Sequence, residues 1–151
     1  MNIPKVGFDM TRLARGYIAS GEFNGFRVPQ HLQNQIVKLY CDSNQLDFVL
    51  SRAEYWINGS TKCQLWSALK EGFNDIVFFS LWQLPNARRE RVQIYDYCIA
   101  HNIILHFATE RIRVSPDEFS WADLEILFDS NLTILQASNY HDYLVTLKEL
   151  I

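Results

Sequence analysis

The side chains of this chain that could do chemistry fall at four places where a short apolar run gives way to a polar loop. Ser20 follows Tyr17-Ile18-Ala19; Ser51 and Glu54 follow Leu46–Leu50; Ser80 and Gln83 follow Asp75–Phe79; and His106 with Glu110 closes Ile103–Phe107. In an open α/β sheet the crevice outside the carboxyl ends of the strands is where ligands bind, and helix N-termini point free N–H groups into it. If the runs are parallel strands, these residues therefore share one mouth. His106 lies inside an apolar run, so burial or a neighbouring carboxylate such as Glu110 or Glu54 would move its pKa and suit it to proton transfer; a hydrogen-bonded core histidine is the other reading. Glu54, beside Tyr55 and Trp56, is either a carboxylate in an apolar pocket or a surface residue next to a buried ring.

A second group surrounds the start of a helix. Arg27, Gln30 and His31 flank Pro29, a residue suited to a first turn, and together with the helix start they make a site for a phosphate or carboxylate. Arg27 could equally pair with Glu22. Lys62 and the Arg88-Arg89, Arg91 cluster read as a solvated face, the arginines lying against the favoured macrodipole sign. Strand-ending serines such as Ser51 and Ser80 commonly satisfy loop backbone groups, so the agreement of four strand ends weighs more than any one of them. There is no Gly-rich phosphate loop, no G-x-S-x-G elbow and no H-E-x-x-H. No redox-cofactor motif or metal cluster is evident, and we expect neither a cofactor nor a metal.

The elements that must position these residues alternate. After an N-terminal arm over residues 1–15, Tyr17-Ile18-Ala19 reads as a strand, and Leu32, Ile36, Leu39 and Tyr40 recur at helical spacing down to about Asp42. Leu46–Leu50 is the second strand. Leu65, Ala68 and Leu69 give the next helix, which Gly72 ends, and Asp75–Leu81 is a continuous apolar run of the kind found mid-sheet. Pro85-Asn86 opens a helix to about Ala100, Asn102 closes it, and Ile103–Phe107 is the fourth strand. This order predicts right-handed crossovers and a mostly parallel sheet of about four strands, in one domain over residues 16–114. Beyond Val114 the alternation stops. Residues 115–151 read as two helices, one starting near Ser115-Pro116 and one over 139–151, either meeting a second subunit or packing back on the sheet.

Composition narrows the classes. The 151 residues are 48% hydrophobic, enough for one sizeable core. Fourteen basic against seventeen acidic side chains give no large positive field, which argues against duplex DNA or an anionic membrane as the main partner. Cys41, Cys63 and Cys98 are odd in number and irregularly spaced, as reduced thiols would be. With no signal segment and no bilayer-length apolar run, a cytoplasmic protein is expected. The abundance of large rings calls for a filled core and an oligomer interface, so we expect a homo-oligomer.

Two resemblances arise from these stretches. The layout GYIAS, a glutamine-rich helix, then DIVFFSLWQL resembles the catalytic domain of serine recombinases of the resolvase and invertase type over roughly residues 16–113. That implies a three-layer resolvase-like α/β fold, with Ser20 near the nucleophile position, Gln35 near the helix glutamine and Tyr17 in the first strand. The departures are specific: the arginine between tyrosine and serine is missing, and Trp82-Gln83 stands where those enzymes have an acidic residue and arginine. Without these arginines a scissile phosphate has no clamp. The stretches GYIAS, GFRVPQHLQN, LSRAEY, FSLWQLP and LHFATE are similar to the sporadic carbohydrate cluster family, small proteins of bacterial surface-polysaccharide gene clusters. The resemblance implies work on an unusual sugar of an O-antigen or capsule. The expectation is an enzyme acting on a phosphorylated sugar or sugar nucleotide by isomerisation, epimerisation or elimination. In it His106 and Glu54 move protons, Arg27 holds an anionic group, and Ser20, Gln30 and Gln83 bind hydroxyls. The alternative is a non-catalytic module on a degenerate recombinase fold.

Overall fold

The computed structural model describes residues 12–21, 27–55, 62–116, 121–137 and 149. Its frame is a five-stranded sheet, β1 (Arg12–Ala19), β2 (Leu46–Glu54), β3 (Asp75–Phe78), β4 (Ile104–Phe107) and β5 (Ile112–Val114), in the spatial order β2-β1-β3-β4-β5. The helices are α1 (Gln30–Ser43), α2 (Cys63–Leu69), α3 (Arg88–His101) and α4 (Trp121–Ala137), with a 3-10 turn at Leu81–Gln83. β1 pairs parallel with both β2 and β3, and β3 pairs parallel with β4. The four strands read from the apolar runs thus point one way. β5 joins β4 antiparallel.

Three boundaries differ from the sequence reading. β1 starts at Arg12, inside the expected arm, because Arg12, Leu13 and Ala14 pair with Leu46, Asp47 and Phe48 although Arg12 and Leu13 remain exposed. β2 runs on to Glu54, so Ser51 lies within the strand and bonds Asn34 of α1 instead of lining a strand end. β5 adds a strand that three residues were too few to signal. The second terminal helix, over 139–151, lies outside the described residues except for Glu149.

Each face of the sheet has its own filling. On one face Tyr17, Phe78 and Phe107 pack edge-on and tilted across three strands, with centroid separations of 5.2 and 5.0 Å, and all three are fully buried. Burying rings of this size contributes about 2–3 kcal/mol each. On the other face α1 lies close to β1 because residue 16 is glycine: a Cβ there would collide with Ser51 Oγ and press on Phe48 and Val37. α1 accordingly buries Gln33, Ile36, Val37 and Tyr40, the i, i+3, i+4, i+7 stripe of one helix face.

The start of α4 docks on the chain itself. Leu124 and Phe128 are buried, Phe128 against Trp82, and Trp121 stacks on Tyr95 at 4.6 Å. Arg91 fastens it. Read from the sequence as solvated, Arg91 is 3% exposed and forks both ways onto Glu125 at 2.8 Å, while Tyr95 Oη donates to the same carboxylate at 2.6 Å. Burial pushes the Glu125 carboxyl up, but Arg91 and Tyr95 outweigh it and hold it below the usual range. Arg88 and Arg89 are exposed, as expected of a solvated face.

Candidate functional site

The strand order reverses at β1: the chain leaves β1 to one side for β2, then returns past it to β3. Such a switch point opens a crevice between the carboxyl ends of the two strands. Ser20 follows β1 and Ser80 follows β3, on the two sides of that point. The α1 N-terminus faces it, with Pro29 as a cap residue that makes no side-chain capping bond.

A continuous line of hydrogen bonds runs along this carboxyl rim in the order of the strands. At the β2 end, the buried Glu54 carboxylate accepts from Tyr17 Oη at 3.0 Å and from the backbone N–H groups of Gln64 and Leu65 at 3.1 and 3.3 Å. It is thus neither in an apolar pocket nor on the surface: it closes the start of α2. Burial, then the adjacent Glu54 charge, push the Tyr17 phenol far above its ordinary range, so it stays a donor. Ser20 N–H and Oγ both donate to the Glu54 carbonyl, at 2.9 and 3.2 Å.

In the middle stands Gln33. Its Nε2 donates to the carbonyls of Ala19 and Val28 at 2.7 Å, and its Oε1 accepts from Ala19 N–H at 3.0 Å and Gln83 Nε2 at 2.9 Å. Gln83 Oε1 in turn accepts from Ser80 N–H at 3.4 Å, completing a capping box on the 3-10 turn. Ser80 Oγ donates to Glu110 Oε2 at 2.9 Å, and Leu81 N–H donates to Glu110 Oε1 at 2.8 Å. Burial pushes the Glu110 carboxyl up to about 7, the two donors offsetting only part of the desolvation. Burial thus makes the protonated form of Glu110 far easier to reach than in an exposed glutamate, as suits a carboxyl that gives and takes a proton.

Several expected members stand elsewhere. His106 faces α1 and the opposite, amino rim. Its Nε2 pairs with Asp75 Oδ1 at 2.8 Å and its Nδ1 with Tyr40 Oη at 2.8 Å, while Arg12 Nε donates to Asp75 Oδ2 at 2.6 Å. Asp75 and Arg12 are the first residues of β3 and β1, so this chain of contacts sits at the end of the sheet away from Ser20 and Ser80. Neither Glu54 nor Glu110 touches the imidazole. The side chain at a strand position leans along the strand as well as off it, and the apolar run of β4 carried no sign of which rim His106 would serve. Burial raises the Asp75 carboxyl, but the bonds from His106 and Arg12 prevail and hold it below its ordinary range.

Gln35 is exposed on α1 and is not the helix glutamine of the rim; Gln33 is. The helical period could have identified it, because Gln33 shares a face with Ile36, Val37 and Tyr40. Gln30 is half-buried, and Arg27 and His31 are exposed at the α1 start. Glu22, the suggested partner of Arg27, lies outside the described residues. Lys62, half-buried before α2, has its ammonium pushed down to about 8 by burial, with Glu54 and Glu90 opposing. Cys41 and Cys98 are buried in helices and Cys63 is exposed.

Solved structures of the same architecture exist. The N-terminal catalytic domain of TP901-1 integrase matches with a TM-score of 0.57 at 14% identity, covering 83% of this chain and 99% of that one. A resolvase family site-specific recombinase from Streptococcus pneumoniae matches with a TM-score of 0.55 at 12% identity, covering 89% of this chain and 99% of that one. The fold is resolvase-like. Likeness at these identities extends to the fold alone. No protein-family model matches the sequence, and no curated protein does. No described helix is long and apolar enough to cross a membrane.

Proposed function

We propose that this protein is a small enzyme of surface-polysaccharide assembly that acts on a phosphorylated sugar or sugar nucleotide by proton transfer at the carboxyl rim. The biological setting comes from the similarity of its GYIAS, GFRVPQHLQN, LSRAEY, FSLWQLP and LHFATE stretches to the sporadic carbohydrate cluster family. The chemistry rests on Glu110. A carboxyl that burial pushes up to about 7, held by Ser80 Oγ and Leu81 N–H where β3 and β4 end, is suited to isomerisation, epimerisation or elimination, which need one group to remove and return a proton. Arg27, His31 and the α1 start would hold the anionic group, and Ser20 would bind a hydroxyl.

A second reading, a non-catalytic module that binds a sugar nucleotide or a partner enzyme, draws on the Gln33–Gln83 and Tyr17–Glu54 pairs. These use their polar atoms within the protein, as a structural rim would. Strand transfer on DNA is disfavoured by the missing arginines; a covalent Ser20–DNA adduct would reinstate it.

A thermal-shift screen with sugar phosphates and nucleotide sugars tests the proposal, because a ligand of the folded state raises the melting temperature by mass action. Arg27→Ala should erase the shift. Glu110→Gln should keep the shift and lower turnover about 10²–10⁴-fold. Binding that persists without turnover in the wild type selects the second reading, and binding untouched by Arg27→Ala removes the site.

A further inference from the structure

Gln33 and Gln83 are fully buried on the carboxyl rim. A buried amide costs stability unless its polar atoms are paired, and an apolar pair of the same shape often serves stability as well. What the two amides hold therefore bears on what they are for. Gln33 uses both of its Nε2 hydrogens on the Ala19 and Val28 carbonyls, and its Oε1 receives the Ala19 N–H and Gln83 Nε2. Since the Ala19 partners are a backbone carbonyl and a backbone N–H, they fix which end of the Gln33 amide is oxygen. The Gln83 amide is fixed in turn, with its nitrogen toward Gln33 and its oxygen toward Ser80 N–H.

The same line of contacts reaches Glu110. Gln83 is the last residue of the 3-10 turn, and the start of that turn supplies Ser80 Oγ and Leu81 N–H to the Glu110 carboxylate at 2.9 and 2.8 Å. Trp82 N–H donates to Ser80 Oγ at 3.2 Å, so the hydroxyl is oriented from within the turn. A turn this short closes on two internal bonds, Gln83 N–H to the Ser80 carbonyl and Leu84 N–H to the Leu81 carbonyl, and its placement depends on what holds its ends. The backbone next to Glu110 is held separately. Ala108 N–H and Thr109 N–H donate to the Phe78 and Phe79 carbonyls at 2.9 and 3.0 Å, and Thr109 Oγ1 donates to the Phe79 carbonyl at 2.7 Å. Glu110 thus hangs from the end of β3, while the turn that carries its donors is braced through Gln83 and Gln33 to β1.

We propose that Gln83, anchored by Gln33, is a positioning residue for Glu110: it holds the 3-10 turn so that Ser80 Oγ and Leu81 N–H stay aimed at the carboxylate. This rests on the reading of Glu110 as the proton-transferring group. The two donors favour the charged form of the carboxyl, and burial opposes them. Loosening the turn leaves burial in command and raises the pH at which Glu110 titrates. A rim that used the two amides only to hold itself together would lose stability without them and leave that pH alone.

Carbon NMR of the side-chain carboxyls in the full chain, with Glu110→Gln to assign the signal, follows this titration with no substrate present. Its outcome therefore stands apart from whether any sugar is turned over. Gln83→Met should move the Glu110 midpoint up by about one pH unit, the order expected when hydrogen bonds to a charged group are weakened. Gln83→Asn, too short to reach Gln33 and Ser80 together, should move it the same way and gives the answer if the methionine variant does not fold. Tyr95→Phe, which removes a buried hydroxyl from Glu125 on α4, should lower the melting temperature and leave the Glu110 midpoint in place. The proposal is overturned if the midpoint of the Gln83 variants stays at the wild-type value or falls, or if Tyr95→Phe raises it as much.

Discussion

The two rims of the sheet solve the same problem with different partners. At the amino rim a buried carboxylate, Asp75, is met by a guanidinium and an imidazole, and its pKa falls. At the carboxyl rim the partners of Glu110 among the described residues are neutral, the Ser80 hydroxyl and backbone N–H groups, and its pKa climbs to about 7. A rim closed by a guanidinium spends its charge on holding strands together. One closed by neutral donors keeps a carboxyl whose protonation is undecided at neutral pH, which is the property a proton-transfer site requires.

The largest expected effect is at the amino rim. Asp75→Asn leaves His106 buried beside a neutral amide and should cost about 3 kcal/mol in urea unfolding at pH 7. A loss under about 1 kcal/mol would mean that the rim is not held by this carboxylate. Gln33→Leu should follow at about 2 kcal/mol, since it strips partners from the Ala19 N–H, the Ala19 and Val28 carbonyls and the Gln83 amide.

The rims should also answer pH with opposite signs. The Glu110 pKa is higher folded than unfolded, so its stabilising protonation is complete below about 4.5 and is lost as pH rises through about 7. Stability should fall over that window, and Glu110→Gln should flatten the fall. Asp75 is shifted down, so its contribution is present above its unfolded pKa near 3.8 and disappears as pH drops through the folded value. Asp75→Asn should remove part of the acid limb and leave the neutral one. Unfolding curves measured from pH 3 to 8 on both variants separate the two. Smallest is Arg12→Gln. Its side chain is 47% exposed, and the change should cost under about 1 kcal/mol.

The parallel frame was legible because each of β1 to β4 is an apolar run closed by a polar loop, and because α1 and α3 carry helical spacing between them. β5 was not, since three residues give no period and its turn uses Arg111 where a hairpin signal would be glycine or asparagine. The carboxyl rim was legible as a set of strand ends, and Ser20, Glu54, Ser80, Gln83 and Glu110 do line up along it. His106 was misplaced because position in a strand tells which residues share a face, not which rim a long side chain reaches. Gln33 and Arg91 were missed for a shared reason. Both are polar residues on an apolar stripe, Gln33 with Ile36, Val37 and Tyr40, and Arg91 with Ile94, Tyr95 and Cys98. A polar side chain that keeps helical register with a buried face must bring its own partners, and that register was readable.

α1 reaches both rims. Gln33 ties its first turn to β1, and Tyr40, about 10 Å further along the axis, ties its last turns to β4 through His106. Moored fore and aft on a strand where Gly16 leaves no clearance, the helix has no freedom to slide under one end alone. Anything that tilts it must loosen buried anchors at both ends together, so the two ends of α1 answer to a single mechanical lever.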